Sequence, residues 1–385
     1  MAGDYPASDD DPHLERRWPL RAVLCVSCDL VQLAAGAPAE AHLPGTAPWS
    51  QSSTMRAHAG AFADEIVAAG RADATIVELA SHGGYLHDFL AERGVQSLII
   101  EGSEPLAAEL RRSGVAVVDG PLDAQVAAGL VARGRSADVV VDNYLLAHVA
   151  DPSGLIASVA RLLAPTGRLF MEFDHLLPIV VGRQFDAFRH GHFSYLSLHA
   201  VIDLLRRHDL VISSVREMPV YGGALRLEAR HRSGVVREAG VGVERILQLE
   251  LEGDLDAPAA YVALRRDVVA ALDHLRRFLE AAKAGHRVVV AYGAATRGAT
   301  LLNAAGVTAE LLPFVADRSP GKQGRLMPGS RIPIVAPSRI DAIRPDAILI
   351  LTWDIASEII AEQAAARAWG ARFFVAVPDL TEVFA

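Results

Sequence analysis

The 385-residue chain has only two cysteines, Cys25 and Cys28, so no disulfide framework supports its fold. It also lacks an apolar run of the roughly 18–20 residues that a membrane-spanning helix needs. No basic segment followed by an apolar one, the pattern of a secretion signal, opens it. Its 37 Lys and Arg are outnumbered by 46 Asp and Glu, which gives a net charge of −9. This balance disfavours nucleic acids and anionic membranes as partners, and we expect a cytoplasmic protein.

The composition that remains is ordinary for a globular protein, with 51% hydrophobic and 22% charged residues. The length suits two or three domains. Residues 1–12 are polar and acidic, and we expect them to be disordered. We place a small N-terminal module at 1–55, a first large domain at 56–255 and a second at 256–385.

Short apolar strands alternate with helices in both large domains. In the first, the pattern predicts helices over 54–69, 85–93 and 153–163 and strands over 75–79, 97–100, 139–141 and 168–171. In the second, it predicts a long helix over 259–283 and strands over 287–290, 347–351 and 373–377. Such alternation is typical of mostly parallel sheets covered on both faces. The predicted fold class is therefore α/β, with two consecutive nucleotide-binding-like, or Rossmann-like, domains.

A candidate cofactor site lies where the first two strands of the first domain end. Glu78 lies at the end of the first strand, Gly83 and Gly84 form the following turn, and Glu101 ends the second strand. An acid about 20 residues beyond such a turn suits the two hydroxyls of a ribose. The turn is not G-x-G-x-x-G, which disfavours a dinucleotide, whereas S-adenosylmethionine (SAM) tolerates an acidic turn with fewer glycines. The alternative is a strand that ends in two glycines, with a surface acid beyond it.

Three histidines form a second candidate site. His190 and His192 flank a glycine, and His148 follows the fourth strand. Histidine titrates near pH 7, which suits a base that removes a weakly acidic proton. A metal is a rival interpretation, although His-x-His without a nearby cysteine or carboxylate pair is a weak metal pattern. Solvated loop histidines are the simplest alternative, since the chain has 14 histidines.

Several segments from about Pro19 to the C terminus carry a more specific indication. They are PLRAVLCVSCDLVQL, TIVELASHGGYLHDF, YLLAHVADP, FDAFRHGHFSYLSL, PVYGGALR, AYGAATRGATLLNAAG, DRSPGKQGRLMPGSRIPI and PDAILILTWDIASEI. The C-terminal group is the most specific, because few families follow a YGA turn with PGK-x-GR-x-x-PG-x-x-IPI. On these segments the chain resembles the sugar C-methyltransferase family, which methylates nucleotide-linked deoxysugars for antibiotic glycosylation.

The resemblance implies a class I SAM methyltransferase domain and a C-terminal Rossmann-like domain. It also implies that a nucleotide sugar binds between them, and we expect the nucleotide to be dTDP. In the implied reaction a base removes a proton beside a ketone, and the enolate attacks the sulfonium methyl of SAM while polar groups hold the oxyanion. We expect a monomer or homodimer. The expected catalytic residues are His192 (the favoured base), His148, His190 and Arg189; the cofactor-binding residues are Glu78, Ser81, Gly83, Gly84, Tyr85, Glu101 and Tyr144; the substrate-binding residues are Trp49, Glu172, Tyr195, Tyr221, Tyr292, Arg297, Lys322 and Arg325.

The chain departs from the family pattern at the catalytic loop. Where the family has Tyr-x-Glu-His, this chain has Arg189-His190-Gly191-His192. The missing carboxylate would orient the histidine or share its proton. Arg189 is expected to hold an anionic group of the acceptor or to stabilise an oxyanion, and His190 to replace the lost acid–base capacity. Further departures are Tyr221 in place of histidine, Asp354 in place of asparagine and Arg297 in place of lysine.

The N-terminal module also departs from the pattern. Two C-x-x-C pairs would make a structural zinc site, but only Cys25 and Cys28 are present, and 24 residues before them are too few for the missing half. We therefore expect no bound metal, with the two cysteines packed as small buried apolar residues.

Two alternatives to a sugar C-methyltransferase remain open. The first is a SAM-dependent enzyme that methylates carbon, oxygen or nitrogen of a different natural product, which Arg189 and the short N-terminal module motivate. The second is a catalytically silent relative, which the missing Tyr and Glu motivate. The retention of Glu78, Glu101, His148 and His192 argues against the silent relative.

Overall fold

The computed structural model describes residues 5–16, 18–34, 52–70, 73–79, 85–234 and 240–384. The strands in this part of the chain are β1 (Ala22–Leu24), β2 (Val31–Leu33), β3 (Ile76–Leu79), β4 (Ser97–Glu101), β5 (Val117–Asp119), β6 (Ala137–Asn143), β7 (Leu163–Asp174), β8 (Ser194–Tyr195), β9 (Leu210–Met218), β10 (Ala224–His231), β11 (Val289–Tyr292), β12 (Val315–Ala316), β13 (Ile334–Val335), β14 (Ala347–Ile350), β15 (Arg372–Val375) and β16 (Thr381–Val383). They form three sheets.

The helices pack around these sheets. They are α1 (Ser53–Ala69), α2 (Tyr85–Glu92), α3 (Glu104–Arg112), α4 (Ala124–Ala132), α5 (Pro152–Leu162), α6 (Leu176–Val181), α7 (Leu198–Arg206), α8 (Val243–Glu252), α9 (Pro258–Ala284), α10 (Thr296–Ala304), α11 (Ser338–Ile343) and α12 (Ala356–Glu362). Within the described ranges, none of them combines the length and the apolar character that crossing a bilayer would require.

The central seven-stranded sheet has the order β5-β4-β3-β6-β7-β10-β9. Six of these strands point in the same direction, and β10, which lies between β7 and β9, runs opposite to them. Helices α1 and α2 cover one face through Phe62, Ile66 and Leu90, and a larger apolar core with α5 and α7 covers the other. The chain reverses direction across the sheet at β3, so a crevice opens at the carboxyl ends of β3 and β6, where such sheets bind ligands.

The six-stranded sheet has the order β13-β12-β11-β14-β15-β16 and is parallel except for β16. This is the Rossmann strand order, with its reversal between β11 and β14. The long helix α9 leads into it and packs through Leu275 and Leu279. The predicted α/β class with two Rossmann-like domains is confirmed.

A small hairpin of β1 and β2 extends through β8 into a three-stranded sheet. Cys25 and Cys28 lie in the turn of this hairpin and are only half-buried. The prediction of small buried apolar residues is wrong here, because the turn is open to solvent, with Val26 between the two cysteines 87% exposed. The apolar side of the sheet is buried instead through Val31 and Tyr195.

The N-terminal segment 5–16 lies against the second large domain. Leu326 donates its N–H to the carbonyl of Pro6 (2.9 Å), and Arg331 donates to the carbonyl of Asp10 (2.8 Å). The guanidinium of Arg331 also lies 3.6 Å from the carboxylate of Glu15. Our prediction of disorder is therefore wrong for the described residues 5–12, because the second large domain donates hydrogen bonds to the backbone carbonyls of this segment.

The two large domains are joined at the start of α1. Glu358 of α12 accepts hydrogen bonds from the hydroxyls of Ser52 (2.8 Å) and Thr54 (2.9 Å) and from the backbone N–H groups of Ser53 and Thr54 (3.2 Å each). A carboxylate at a helix N terminus satisfies N–H groups that have no partner within the helix. Burial raises the pKa of Glu358, but the hydrogen bonds from Ser52 and Thr54 outweigh it and bring it to about 2.

Candidate active site

Three buried carboxylates line the carboxyl edge of the central sheet: Glu78 on β3, Glu101 at the end of β4 and Asp142 on β6. Burial raises the pKa of Glu78 and of Asp142 to about 7. Glu101 accepts a hydrogen bond from the N–H of Ser103 (2.9 Å). One oxygen of Asp142, Oδ2, has no partner among the described residues. The crevice is therefore acidic and has unused acceptor capacity.

Glu78 is held from the side of α2. The hydroxyl of Ser97 donates to Glu78 Oε1, and the Ser97 oxygen lies 2.7 Å from His87 Nδ1. Because the one serine proton goes to the carboxylate, His87 donates to Ser97. Burial lowers the pKa of His87, so the ring is neutral near pH 7. This chain of hydrogen bonds fixes the carboxylate of Glu78.

Glu172 on β7 is part of a saturated hydrogen-bond network. Its Oε1 accepts from Tyr144 Oη (2.8 Å) and lies 2.5 Å from His58 Nε2, and its Oε2 accepts from Arg226 Nε (2.6 Å). Burial raises the pKa of Glu172, but the bonds from His58 and Arg226 outweigh it, and the carboxyl group titrates below its usual range. Both oxygens are occupied, so Glu172 positions Tyr144, whose φ of 66° is the strained left-handed conformation.

The loop before β8 brings together His192, His148 and Arg189. His192 Nε2 lies 2.6 Å from a terminal nitrogen of Arg189, and the rings of His192 and His148 meet edge to face with centroids 4.6 Å apart. Arginine can only donate, so Nε2 of His192 carries the lone pair and Nδ1 carries the proton. Burial and the charge of Arg189 hold the pKa of His192 well below its usual range. The imidazole is therefore neutral at pH 7.

His148 has a defined tautomer because its Nδ1 contacts the carbonyl of Gly191, which can only accept. Tyr195 closes the loop: its hydroxyl accepts from Arg189 N–H (2.9 Å) and donates to Arg189 C=O (3.1 Å). Tyr195 thus positions the loop with its polar atom already engaged. His190 lies apart from this group, with Nε2 3.2 Å from the carbonyl of Pro19.

A charged group lies where the two large domains meet, beside the histidines. It contains the carboxylates of Asp174, Asp186 and Asp354 and the guanidiniums of Arg189 and Arg297. Charges within this group act on the pKa values of Asp174, Arg189 and Asp354. We call these five residues the interdomain charged cluster.

Arg297 of α10 crosses from the second domain to the first. It donates to the carbonyl of Tyr221 (2.8 Å) and to Gln184 Oε1 (3.3 Å), and it lies over the ring of Trp353. Trp353 in turn donates to Asp186 Oδ2 (2.8 Å). Tyr221 begins the turn in which Gly222 approaches Trp353 so closely that a Cβ there would lie 2.4 Å from the indole. The domains are thus joined tightly around the cluster.

The other predicted substrate residues of the second domain are engaged elsewhere. Tyr292 donates its hydroxyl to Glu362 (3.1 Å), and Lys322 donates to the carbonyl of Ala294 (2.8 Å). Arg325 is exposed and donates to the carbonyl of Tyr5 (3.0 Å). Of the five, Arg297 is the one whose charge acts on His192, and Tyr221 contacts Arg297 through its carbonyl, whereas the bonds described for Tyr292, Lys322 and Arg325 go to other groups.

Some predicted site residues cannot be placed. Trp49, Ser81, Gly83 and Gly84 lie outside the described residues, as does the side chain of Tyr85. In the described ranges, no three His, Cys, Asp or Glu side chains are arranged to hold a metal ion.

Comparison with known proteins agrees with this geometry. A family model described as "Methyltransferase domain" matches residues 53–215, and one described as "C-methyltransferase C-terminal domain" matches residues 219–378. The C-methyltransferase NovU of Streptomyces niveus is 28% identical over 384 residues, which cover 98% of this chain and 91% of the relative. The two family models and the similarity over nearly the whole chain support the C-methyltransferase family. This C-methyltransferase is a SAM-dependent enzyme, as the sequence predicted.

Weak structural similarity also extends to solved proteins. The PH0226 protein of Pyrococcus horikoshii is 13% identical, with a TM-score of 0.40, and the match covers 51% of this chain and 100% of that one. Magnesium protoporphyrin IX methyltransferase of Synechocystis with bound SAH is 18% identical, with a TM-score of 0.38, and the match covers 46% of this chain and 83% of that one.

Several residues that this C-methyltransferase gathers at the site are not predicted from the sequence: Asp142, Asp174, Asp186, His58 and Arg226. Asp142 and Asp174 had a usable signal, because each follows a predicted buried strand, as Glu78 does. His58 on α1 and Arg226 on β10 had none, since only the tertiary fold brings them to Glu172.

Proposed function

We propose that this C-methyltransferase methylates a carbon beside the ketone of a deoxysugar linked to thymidine diphosphate. The observation that carries the proposal is the meeting of His192, His148 and Arg189 with Arg297 and Trp353 of the second domain. Rossmann-like sheets bind nucleotides at their carboxyl edge, so an acceptor held by the second domain presents its sugar to these histidines. The similarity to NovU and the family resemblance support this reaction class. We further propose a cytoplasmic monomer or homodimer.

The carboxyl edge of the central sheet has the groups that SAM requires. When bound, SAM supplies a methyl group on a positively charged sulfonium. Glu101 is our candidate for the ribose hydroxyls, because it ends β4 and keeps acceptor capacity beyond its bond to Ser103. The unpartnered Oδ2 of Asp142 is a buried acceptor two residues from Tyr144, and a bound cation compensates such a group.

His192 is our candidate base. It is neutral, as a base must be, but its lone pair at Nε2 is bound by Arg189. Arg189 has to leave Nε2 before that nitrogen takes a proton. The guanidinium then donates to the ketone oxygen, where negative charge develops, so that a single movement frees the base and stabilises the enolate.

The proton moves from the acceptor carbon to His192 Nε2, and the electron pair of that C–H bond forms the enolate double bond. The enolate carbon then bonds the methyl group, while the electrons of the broken methyl–sulfur bond stay on sulfur. His148 acts by position: its Nδ1 holds the carbonyl of Gly191, and its ring packs against His192.

The test has two parts. Calorimetric titration with SAM, then with a thymidine diphosphate 4-keto-deoxysugar, measures binding, and transfer of labelled methyl measures turnover. We expect both ligands to bind. His192→Asn should lower kcat by roughly 10²–10⁴-fold, the usual contribution of a general base, with SAM affinity unchanged. His199→Ala, a half-exposed histidine paired with Asp29, is the control and should retain wild-type turnover.

Each failure has a separate meaning. Turnover of His192→Asn within a few-fold of wild type would remove His192 from the role of base. Binding of SAM without any nucleotide sugar would favour a different natural-product acceptor. Absence of both binding events would favour a catalytically silent relative.

A further inference from the structure

We propose that Asp174 binds a hydrogen-bond donor, a hydroxyl or an amino group, on the ring of the methyl acceptor and thereby selects among acceptors. The inference rests on the proposed function, since it concerns the acceptor at the same site. It assigns a role to a residue that the sequence analysis did not include.

The first observation is an acceptor atom without a donor. Asp174 Oδ1 is sealed from solvent and has no hydrogen-bond partner among the described residues. Neither Arg189 nor Arg297 forms an ion pair with it in the described structure, although both charges act on its ionisation. A folded chain rarely leaves a buried carboxylate oxygen unsatisfied, because the lost hydration is not repaid. A ligand group that donates to Oδ1 would complete the site.

The second observation is that neighbouring groups are incomplete in the same way. Asp186 is 1% exposed, and its Oδ1 has no partner in the described structure. Arg297 is 9% exposed, and its Nε has no hydrogen bond in the described structure, although it forms an ion pair with Asp186 Oδ2 at 3.5 Å. These two residues come from different domains. Unsatisfied atoms on both sides of one junction indicate that a polar ligand enters between the domains.

The position of Asp174 places its unpartnered oxygen near the proposed catalytic residues. Asp174 is the last residue of β7, at the carboxyl edge of the central sheet. It acts on the ionisation of Arg189, whose guanidinium contacts His192 Nε2. A group that bonds Asp174 is therefore close to the carbon from which His192 takes a proton.

The charges of the cluster define the chemistry of the ligand group. The interdomain charged cluster holds three carboxylates and two guanidiniums. This excess of acid disfavours a phosphate or carboxylate at Asp174 and favours a neutral or cationic donor. A hydroxyl and a protonated amine share the required chemistry, and substitution at Asp174 tells them apart.

The experiment compares two acceptors that differ only in one ring substituent, a donor or a hydrogen atom. The wild type should prefer the donor-bearing acceptor by at least about 10-fold in kcat/KM, because a site with a buried polar group rejects an analogue that leaves it unpaired. Asp174→Ala should bring this ratio close to one. Asp174→Asn should keep the preference if the donor is a hydroxyl and lose it if the donor is an ammonium.

Two further measurements keep the test decisive. In the free enzyme, Asp174→Asn should leave the melting temperature unchanged or raise it, because Oδ1 has no hydrogen bond from the described residues to lose. Asp64→Asn, an exposed aspartate of α1 paired with Arg93, is the control and should leave the acceptor ratio unchanged. An equal loss for both acceptors in Asp174→Ala, or a lower melting temperature in Asp174→Asn, would overturn the proposal. If no nucleotide sugar binds, the proposed function fails, and the melting temperatures still test Asp174.

Discussion

Glu172 and Asp174 lie two residues apart on β7 and face the same side of the sheet, yet they differ in every respect that decides a role. Glu172 has donors on both oxygens, from Tyr144, His58 and Arg226, and its pKa is lowered. Asp174 has an oxygen without a partner in the described structure, and burial raises its pKa. A saturated carboxylate contributes to the fold, whereas an unsatisfied one has a free energy to gain from a ligand.

The comparison explains why burial alone does not identify a functional acid. Both residues lie at the same edge of the same sheet, and the side chain of Glu172 and the Oδ1 atom of Asp174 are both closed off from solvent. They differ in whether an arginine of the chain is in direct contact with the carboxylate. Arg226 reaches Glu172 from the next strand, while Arg189 turns to His192 and leaves Asp174 Oδ1 unbound.

The largest expected effect on stability follows from breaking the saturated member of this pair. Glu172→Gln removes the buried one of the two carboxylates that pair with Arg226 and leaves the more exposed Glu65 as its remaining partner. Loss of one partner of a buried ion pair costs about 3–5 kcal/mol, and we expect a loss of that size in the free energy of unfolding. Urea denaturation measures it.

The matched control is Glu217→Gln on β9, an exposed partner of Arg245. A surface substitution of this kind should change the free energy of unfolding by no more than about 0.5 kcal/mol. Equal effects for the two variants would contradict the distinction between saturated core carboxylates and surface ones.

A second prediction concerns Arg189, which acts on Asp174 and binds His192. Activity requires neutral His192, so it falls as the pH drops through the pKa of that group. In the wild type this acid limb should lie well below pH 6.5, since burial, Arg189, His148 and Arg297 all lower the pKa of His192. Arg189→Gln removes one positive charge and should move the limb of kcat/KM to higher pH.

Two control variants are needed beside this pH profile, because Asp174 also loses a neighbouring positive charge in Arg189→Gln. The double variant Arg189→Gln/Asp174→Asn lacks the carboxyl group of Asp174. If its acid limb lies at the same pH as that of Arg189→Gln alone, then His192 is the titrating group. Arg276→Gln, on the exposed face of α9, is the control for a lost surface arginine. A limb at the same pH in wild type and Arg189→Gln would show that Arg189 does not set the pKa of the base.

Long amphipathic segments were predictable from the sequence to within a residue or two. The helix predicted over 54–69 is Ser53–Ala69, and the helix predicted over 259–283 is Pro258–Ala284. Their apolar residues recur at the helical period over many turns, which fixes type and extent together. The two-residue strands β12 and β13 carry no such pattern, because their pairing with β11 and with each other defines them.

The site was predictable where it depends on strand ends and hidden where it depends on partners. Glu78, Glu101 and the histidines were found because strand ends and loops are local features. The β9–β10 hairpin was missed, since Arg226, Glu228 and Arg230 interrupt the apolar pattern of β10 with charges. Only the folded structure shows that Arg226 pairs with Glu172 and that Asp174 lacks a partner.

The smallest effect extends the comparison to Glu358, a carboxylate saturated by donors of the other domain. Above its unfolded pKa near 4.5, this group stabilises the joined domains, and the contribution is lost as the pH falls toward about 2, its pKa when folded. Glu358→Gln should destabilise by about 1–2 kcal/mol at neutral pH, the usual value of a helix cap. Glu362→Gln, one turn further along α12, also loses a bond to Arg318 but leaves the α1 cap intact. If Glu362→Gln destabilised as much as Glu358→Gln, the ion pair with Arg318 rather than the cap would account for the stabilisation. The hydrogen bonds between Glu358 and the start of α1 would then not be what holds the two domains together.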